Sequence, residues 1–119
     1  MLYNVDLRIP TLHYDRLVHA FGFGTSSVAC WQALRLHIST RPISGGIAFL
    51  IALCGMGIGA VNEVVEFVST EVVETSNVGG YANTGWDLVF NAAGCTVAAL
   101  SLYHLDRRRR QPARVDTVA

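Results

Sequence analysis

A chain of 119 residues that is 51% hydrophobic and only 15% charged has room for one domain and little material for a water-facing surface. Soluble domains carry about 25% charged residues, and here the mean hydropathy is +0.36, so lipid rather than water is the expected surrounding. The net charge of zero hides an asymmetry: Arg107, Arg108, Arg109, Arg110 and Arg114 crowd the C-terminus, while Glu63, Glu66, Glu71 and Glu74 share a middle stretch. An arginine run beside an apolar helix reads as a topology anchor, and no nucleic-acid partner is expected.

Met1 to Arg16 lacks a charged segment followed by an apolar one, so no cleavable signal is expected. The first span is expected over about residues 17–36, the weakest by hydropathy because it carries His19, Ser26, Ser27 and Gln32. Pro42 then suits the first turn of a second span over about 43–68. Its core, Ile43 to Val61, runs 19 residues without a charge. That length crosses roughly 30 Å of hydrocarbon at about 1.5 Å per residue. An outer loop over 69–85 follows, with Asn77-Val-Gly-Gly and Asn83-Thr-Gly read as turn signals. A third span covers about 86–105, and a basic tail occupies 106–119. The expected fold is thus an all-α integral membrane bundle of three transmembrane helices forming one domain over 1–119.

Charge asymmetry sets the orientation. Arg35, His37 and Arg41 lie between spans one and two, and the arginines follow span three, so both belong on the cytoplasmic side. The 69–85 loop holds Glu71 and Glu74 without Lys or Arg and belongs outside, giving N-out and C-in. Trp31, Trp86, Tyr14, Tyr81 and Tyr103 fit interfacial belts, and His13, His37 and His104 fall near the interfaces. Cys30, Cys54 and Cys95 stand singly in apolar segments, as small hydrophobes do. Gly55 and Gly59, and again Gly94 and Ala98, have the small-x-x-x-small spacing of close helix contacts. Packing within the bundle is favoured over dimerisation, which leaves a homo-oligomer or a membrane partner open.

Three polar signatures edge the apolar stretches: Asp15-x-x-x-His19, Glu63-x-x-Glu66 and Asp87-x-x-x-Asn91. Each pair lies about one helical turn apart and shares a face. In the expected topology all three converge near the outer side. A charge exposed at the bilayer centre costs roughly 2.5–3.5 kcal/mol, so these groups are expected to face inward. Two carboxylates on one face repel, so Glu63 and Glu66 need a shared proton or a cation. One reading is a divalent-metal site with His19, Glu63, Glu66 and Asp87 as ligands and Asp15 and Asn91 at its edge. The mixture suits Mn, Fe, Mg or Zn. If the site is catalytic, Glu66 or His19 is the candidate base for attack on a lipid-linked envelope substrate. The competing reading is polar glue, in which His19, Asn62, Asn91 and protonated acids hydrogen-bond across helices in a scaffold or regulatory module. Asp15 and Asp87 also suit helix N-termini as caps. No H-E-x-x-H, G-x-S-x-G or P-loop pattern is present.

The stretches YDRLVHAFGFG from Tyr14, NEVVEF from Asn62 and NTGWDLVFNAAG from Asn83 resemble the YjdF-like bacterial inner-membrane proteins. The same skeleton is similar to that of the VanZ-like membrane proteins, linked to low-level teicoplanin resistance, which tend to show Glu-x-x-Gln where this chain has Glu63-x-x-Glu66. The likeness covers about Leu12 to Leu102 and implies a multi-pass protein of the bacterial cytoplasmic membrane. It marks Asp15, His19, Glu63, Glu66, Asp87, Asn91 and Gly94 as characteristic positions without supplying a reaction. YjdF-like members typically carry further helices before the D-x-x-x-H segment, so this chain reads as a minimal member, a truncated frame or half of an assembly.

Overall fold

In the computed structural model, residues 14–38, 42–72 and 80–111 are described. They form three helices: α1 (Tyr14–Leu34), α2 (Gly45–Val72) and α3 (Tyr81–Arg110). No strand occurs among the described residues. All three helices pack on one another, α3 most closely on α1. Contacts between Phe23 and Cys95 near the middle, and between Ile43 and Asp106 at one end, make α1 and α3 parallel with α2 antiparallel. Two helices, α2 and α3, are long and apolar enough to cross a membrane; α1, with 21 residues, is long enough but less apolar.

Side chains are distributed inside out relative to a water-soluble bundle. Phe67 is 63% exposed and Val97 65%, whereas Glu63 is 6% exposed and Asp87 0%. Such a surface is stable in hydrocarbon, where packing and hydrogen bonding rather than apolar burial hold helices together. The buried apolar core is small, built from Ile43, Ala48, Ile51, Ala52, Cys95 and Ala99 with Phe23, Trp31 and Met56 against it. Several helix hydroxyls satisfy themselves locally: Ser26 donates to Gly22 O at 2.9 Å, Thr96 to Ala92 O at 2.7 Å and Ser101 to Val97 O at 2.8 Å. That keeps them from being unpaired donors in lipid.

Glycines set the closest approaches. A Cβ on Gly94 would collide with the carbonyl oxygen of Ala20, and one on Gly24 would lie 3.0 Å from Gly94 O, so α1 and α3 touch backbone to backbone. Gly55 faces Ser27, Cys95 and Phe23 O, and Gly59 faces the Asn91 side chain, while Gly57 faces open space. The G-x-x-x-G pair is therefore spent inside the bundle, as the favoured reading held.

Three boundaries depart from expectation. Pro42 does not open α2; Ser44 does, its carbonyl accepting from Ala48 N at 2.9 Å and its Oγ from Ile47 N at 3.3 Å. A hydroxyl there satisfies an orphan amide that proline's fixed φ does not. Ser44→Ala is expected to cost about 1 kcal/mol of stability, read as a lowered midpoint in detergent thermal unfolding. Asn83-Thr84-Gly85 is helical rather than a turn, because Asn83 Nδ2 donates to Asp87 Oδ2 at 2.6 Å along the helix. For the same reason Asp87 caps nothing: it lies in the second turn of α3 and is fully buried. Arg41, Glu74, the Asn77-Val-Gly turn, His13 and Arg114 lie outside the described residues.

Amide N of Ile43, just ahead of α2, donates to Asp106 Oδ2 at 3.0 Å, and Arg110 Nε donates to the same oxygen at 2.9 Å. Arg107 to Arg110 form the last turn of α3 and are exposed, where cations complement the helix dipole.

Candidate functional site

At the other end, three helices contribute to one polar cluster. The first turns of α1 bring Asp15, Arg16 and His19. The C-terminal third of α2 brings Asn62, Glu63 and Glu66, and the first turns of α3 bring Asn83, Asp87 and Asn91. The antiparallel course of α2 is what levels these segments. Gly59, one turn before Glu63, leaves room for Asn91 to lie against α2.

His19 is the hub. Its Nδ1 lies 3.2 Å from Asn91 Oδ1 and 3.5 Å from Glu63 Oε1, and its Nε2 lies 3.8 Å from Asp15 Oδ1. With two oxygens before it, Nδ1 is assigned the ring proton, which in the neutral ring leaves the Nε2 lone pair facing a carboxylate. Two triads share this imidazole: Asp15, His19 and Asp87, and His19, Glu63 and Glu66. In each, the candidate ligand atoms lie within 4.8 Å of one another.

The carboxylates differ in support. Glu66 Oε1 accepts from Asn62 Nδ2 at 2.7 Å and Asp87 Oδ2 from Asn83. Among the described residues, both oxygens of Glu63 and Oδ1 of Asp87 are buried without a hydrogen-bond partner, as is Nδ2 of Asn91. Buried polar groups are nearly always satisfied, so these atoms call for a further partner such as a water, a proton or an ion. Among the described residues, four carboxylates stand in this cluster against one arginine, Arg16. Arg16 is 7% exposed, with its guanidinium 5.0 Å from the centroid of the Trp86 ring.

Every residue of the sequence-level site comes together here, Asp15 and Asn91 included. Sequence reasoning missed two contributors. Arg16 has no role in the sequence reading, and Trp86, whose ring it faces, is read there as part of the aromatic belt. Asn83 was read as part of a turn, although its spacing to Asp87 repeats that of Asn62 to Glu66 and signalled the same helical pairing. Ser27, fully buried on α1 opposite Gly55, lies below the cluster and takes no part in it.

No curated protein and no solved structure matches the chain significantly. A family comparison does, over residues 2–108, a stretch that takes in all three described helices up to Arg108 and every residue of the polar cluster. On that match the chain belongs to the predicted membrane protein family DUF2238, the YjdF-like family.

Proposed function

We propose that the cluster holds a divalent cation at His19, bound with carboxylates of Asp15 and Asp87 on one side of the ring or of Glu63 and Glu66 on the other. The observation that carries this reading is the pair of buried carboxylates flanking His19 with oxygens that nothing satisfies, Glu63 and Asp87. A surplus of negative charge in a low-dielectric interior must be neutralised by protons or by a cation. The imidazole and carboxylate donors suit Mn, Fe, Mg or Zn.

The bundle would sit as three membrane spans in the bacterial cytoplasmic membrane, N-out and C-in. Support for α1 as the third span is its pattern: Leu17, Val18 and Phe21 are exposed to the surroundings while His19 and Ser27 are buried. The arginine-bearing end, with Arg35 and Arg107 to Arg110, would face the cytoplasm. The polar cluster then lies near the outer face, within reach of lipid-linked envelope substrates. A cation there would polarise a phosphoryl or acyl oxygen and lower the pKa of a bound water. With the ion in the Asp15 triad, Glu66, held by Asn62 and less buried than Glu63, would serve as the base, with His19 as a ligand.

Elemental analysis of detergent-purified protein tests this directly. Near-stoichiometric metal in the wild type is expected, lost in Glu63→Gln, in Asp87→Asn or in both, with helicity unchanged. Loss in Asp87→Asn alone assigns the ion to the Asp15 triad, and loss in Glu63→Gln alone to the Glu66 triad. A second reading, polar glue, is favoured by the Asn62–Glu66, Asn83–Asp87 and His19–Asn91 bonds. No metal in any of the three proteins, with equal thermal stability, would leave that reading in place and point to a non-enzymatic membrane module.

A further inference from the structure

The end opposite the polar cluster carries a second site. Between the C-terminal turn of α1, the start of α2 and the C-terminal turns of α3 lies an open groove of about 520 Å³. That volume is in the range of about 300–1,000 Å³ usual for small-molecule sites. One part of its lining is apolar, from Trp31, Leu36, Leu102 and Leu105; the other carries Arg35, Arg109, Arg110 and Asp106.

The charges do not cancel. Asp106 is already engaged, accepting from Arg110 Nε at 2.9 Å and from the Ile43 amide at 3.0 Å. Arg110 and Asp106 thus form a closed pair that also ties α2 to α3. The Arg35 and Arg109 side chains make no hydrogen bond or close ion pair among the described residues, although the Arg109 charge also acts on Asp106, and both are exposed. Two guanidinium groups, one just past α1 and one on α3, therefore line a groove whose three arginines and one carboxylate leave two formal positive charges in excess. Guanidinium offers paired donors that match phosphate oxygens.

Apolar and basic parts are stacked along the bundle axis. Leu102 and Leu105 precede Arg109 on α3, and Trp31 in α1 precedes Arg35 just past its end, so in both segments the apolar residue lies toward the middle of the bundle and the arginine beyond it. An acyl chain along the leucines and Trp31 would bring a phosphate to the arginines without bending. We propose that this groove binds one anionic phospholipid, its phosphate between Arg35 and Arg109 and its acyl chain against Trp31, Leu102 and Leu105. Basic grooves at the ends of membrane helices recognise lipid headgroups by this combination of charge and apolar wall. Arg107 and Arg108 do not line the groove; Arg107 lies over the Tyr103 ring and donates to its hydroxyl at 3.0 Å. They are the internal control for surface charge.

The test is a titration of detergent-purified protein with short-chain phosphatidylglycerol or phosphatidylcholine, read by native mass spectrometry. Each basic residue near an anionic lipid contributes about fivefold, so two predict a preference of roughly 30-fold for phosphatidylglycerol. Arg35→Gln with Arg109→Gln is expected to erase that preference while leaving helicity intact, and Arg107→Gln with Arg108→Gln to keep it. Leu105→Trp, which fills the apolar wall, is expected to weaken both lipids. Equal affinity for the two lipids in the wild type would overturn the proposal. So would an equal loss in both arginine pairs, because the effect would then be bulk charge. Displacement of phosphatidylglycerol by equimolar inorganic phosphate would also overturn it, reassigning the groove to the free anion.

Discussion

On the proposed metal reading, replacing His19 by Gln is expected to abolish cation binding while leaving the bundle folded. His19 is the one residue common to both candidate triads, so no alternative placement of the ion survives its loss. Loss of an outer-shell partner already weakens metal sites by roughly 10–100-fold, and removing the sole nitrogen ligand is expected to reach or exceed the upper figure. Gln separates the two readings because its amide still hydrogen-bonds to Asn91, from which His19 Nδ1 now stands 3.2 Å away, yet it is a poor metal ligand. If the cluster is only polar glue, His19→Gln changes little, since interhelical bonds in membranes contribute about 0.6–2 kcal/mol each. His19→Ala is the harsher variant and is expected to lower stability as well, because Asn91 Oδ1 and Glu63 Oε1 lose their neighbour. Retention of stoichiometric metal by His19→Gln would end the metal reading.

Gly94→Val is expected to be the most damaging single change outside the cluster. At Gly94 a Cβ meets the Ala20 carbonyl, which is backbone and cannot rotate aside, so α1 and α3 must separate. Overpacking a core costs about 1–3 kcal/mol even where side chains yield, and here the obstacle is rigid. The expected readout is a large fall in the detergent unfolding midpoint, together with loss of metal, since His19 and Asp87 ride on the two helices being forced apart. Gly57→Ala is the matched control. Its Cβ meets nothing within 4 Å, so the substitution is expected to be neutral or to stabilise by about 0.5–1 kcal/mol. Equal destabilisation by both substitutions would mean that the outward face of α2 around Gly57, rather than the inward Gly55 and Gly59 face, mediates contacts between copies of the chain.

Much of this was legible in sequence because membrane spans announce themselves. The uncharged run from Ile43 to Val61 falls wholly in α2 and the two residues before it, and the acidic pairs at helical spacing fall where one face meets another. What failed were the local signals of soluble proteins applied beside a membrane. Asn83-Thr-Gly is turn chemistry in water, yet with Asp87 one helical turn on, the Asn83 amide gains a partner only if the backbone stays helical. Pro42 was taken for the helix start because proline tolerates that position, whereas Ser44 supplies the bond that defines it. Arg16 escaped notice because a charge beside an opposite charge in sequence looks neutralised. In a helix, adjacent residues point about 100° apart, and Arg16 turns to Trp86 while Asp15 turns to His19. Which of the two triads an ion would choose depends on distances of tenths of an ångström, which spacing alone does not encode.

The bond from the Ile43 amide to Asp106 acts as the common zero of two rulers. Measured from that pin, Glu63 stands twenty residues on, all but the first two steps within α2, a rise of about 30 Å, and Asp87 stands nineteen residues back along α3, a rise of about 28.5 Å. Two stiff rods of nearly equal length, fixed together at one end, therefore deliver their carboxylates to the same height at the other. A single residue inserted anywhere in α2 before Glu63 would lift that carboxylate by only about 1.5 Å but swing it by about 100°. Alignment of the cluster is thus encoded in residue count as much as in local contacts, and substitutions at Asp106 would be felt a full membrane thickness away.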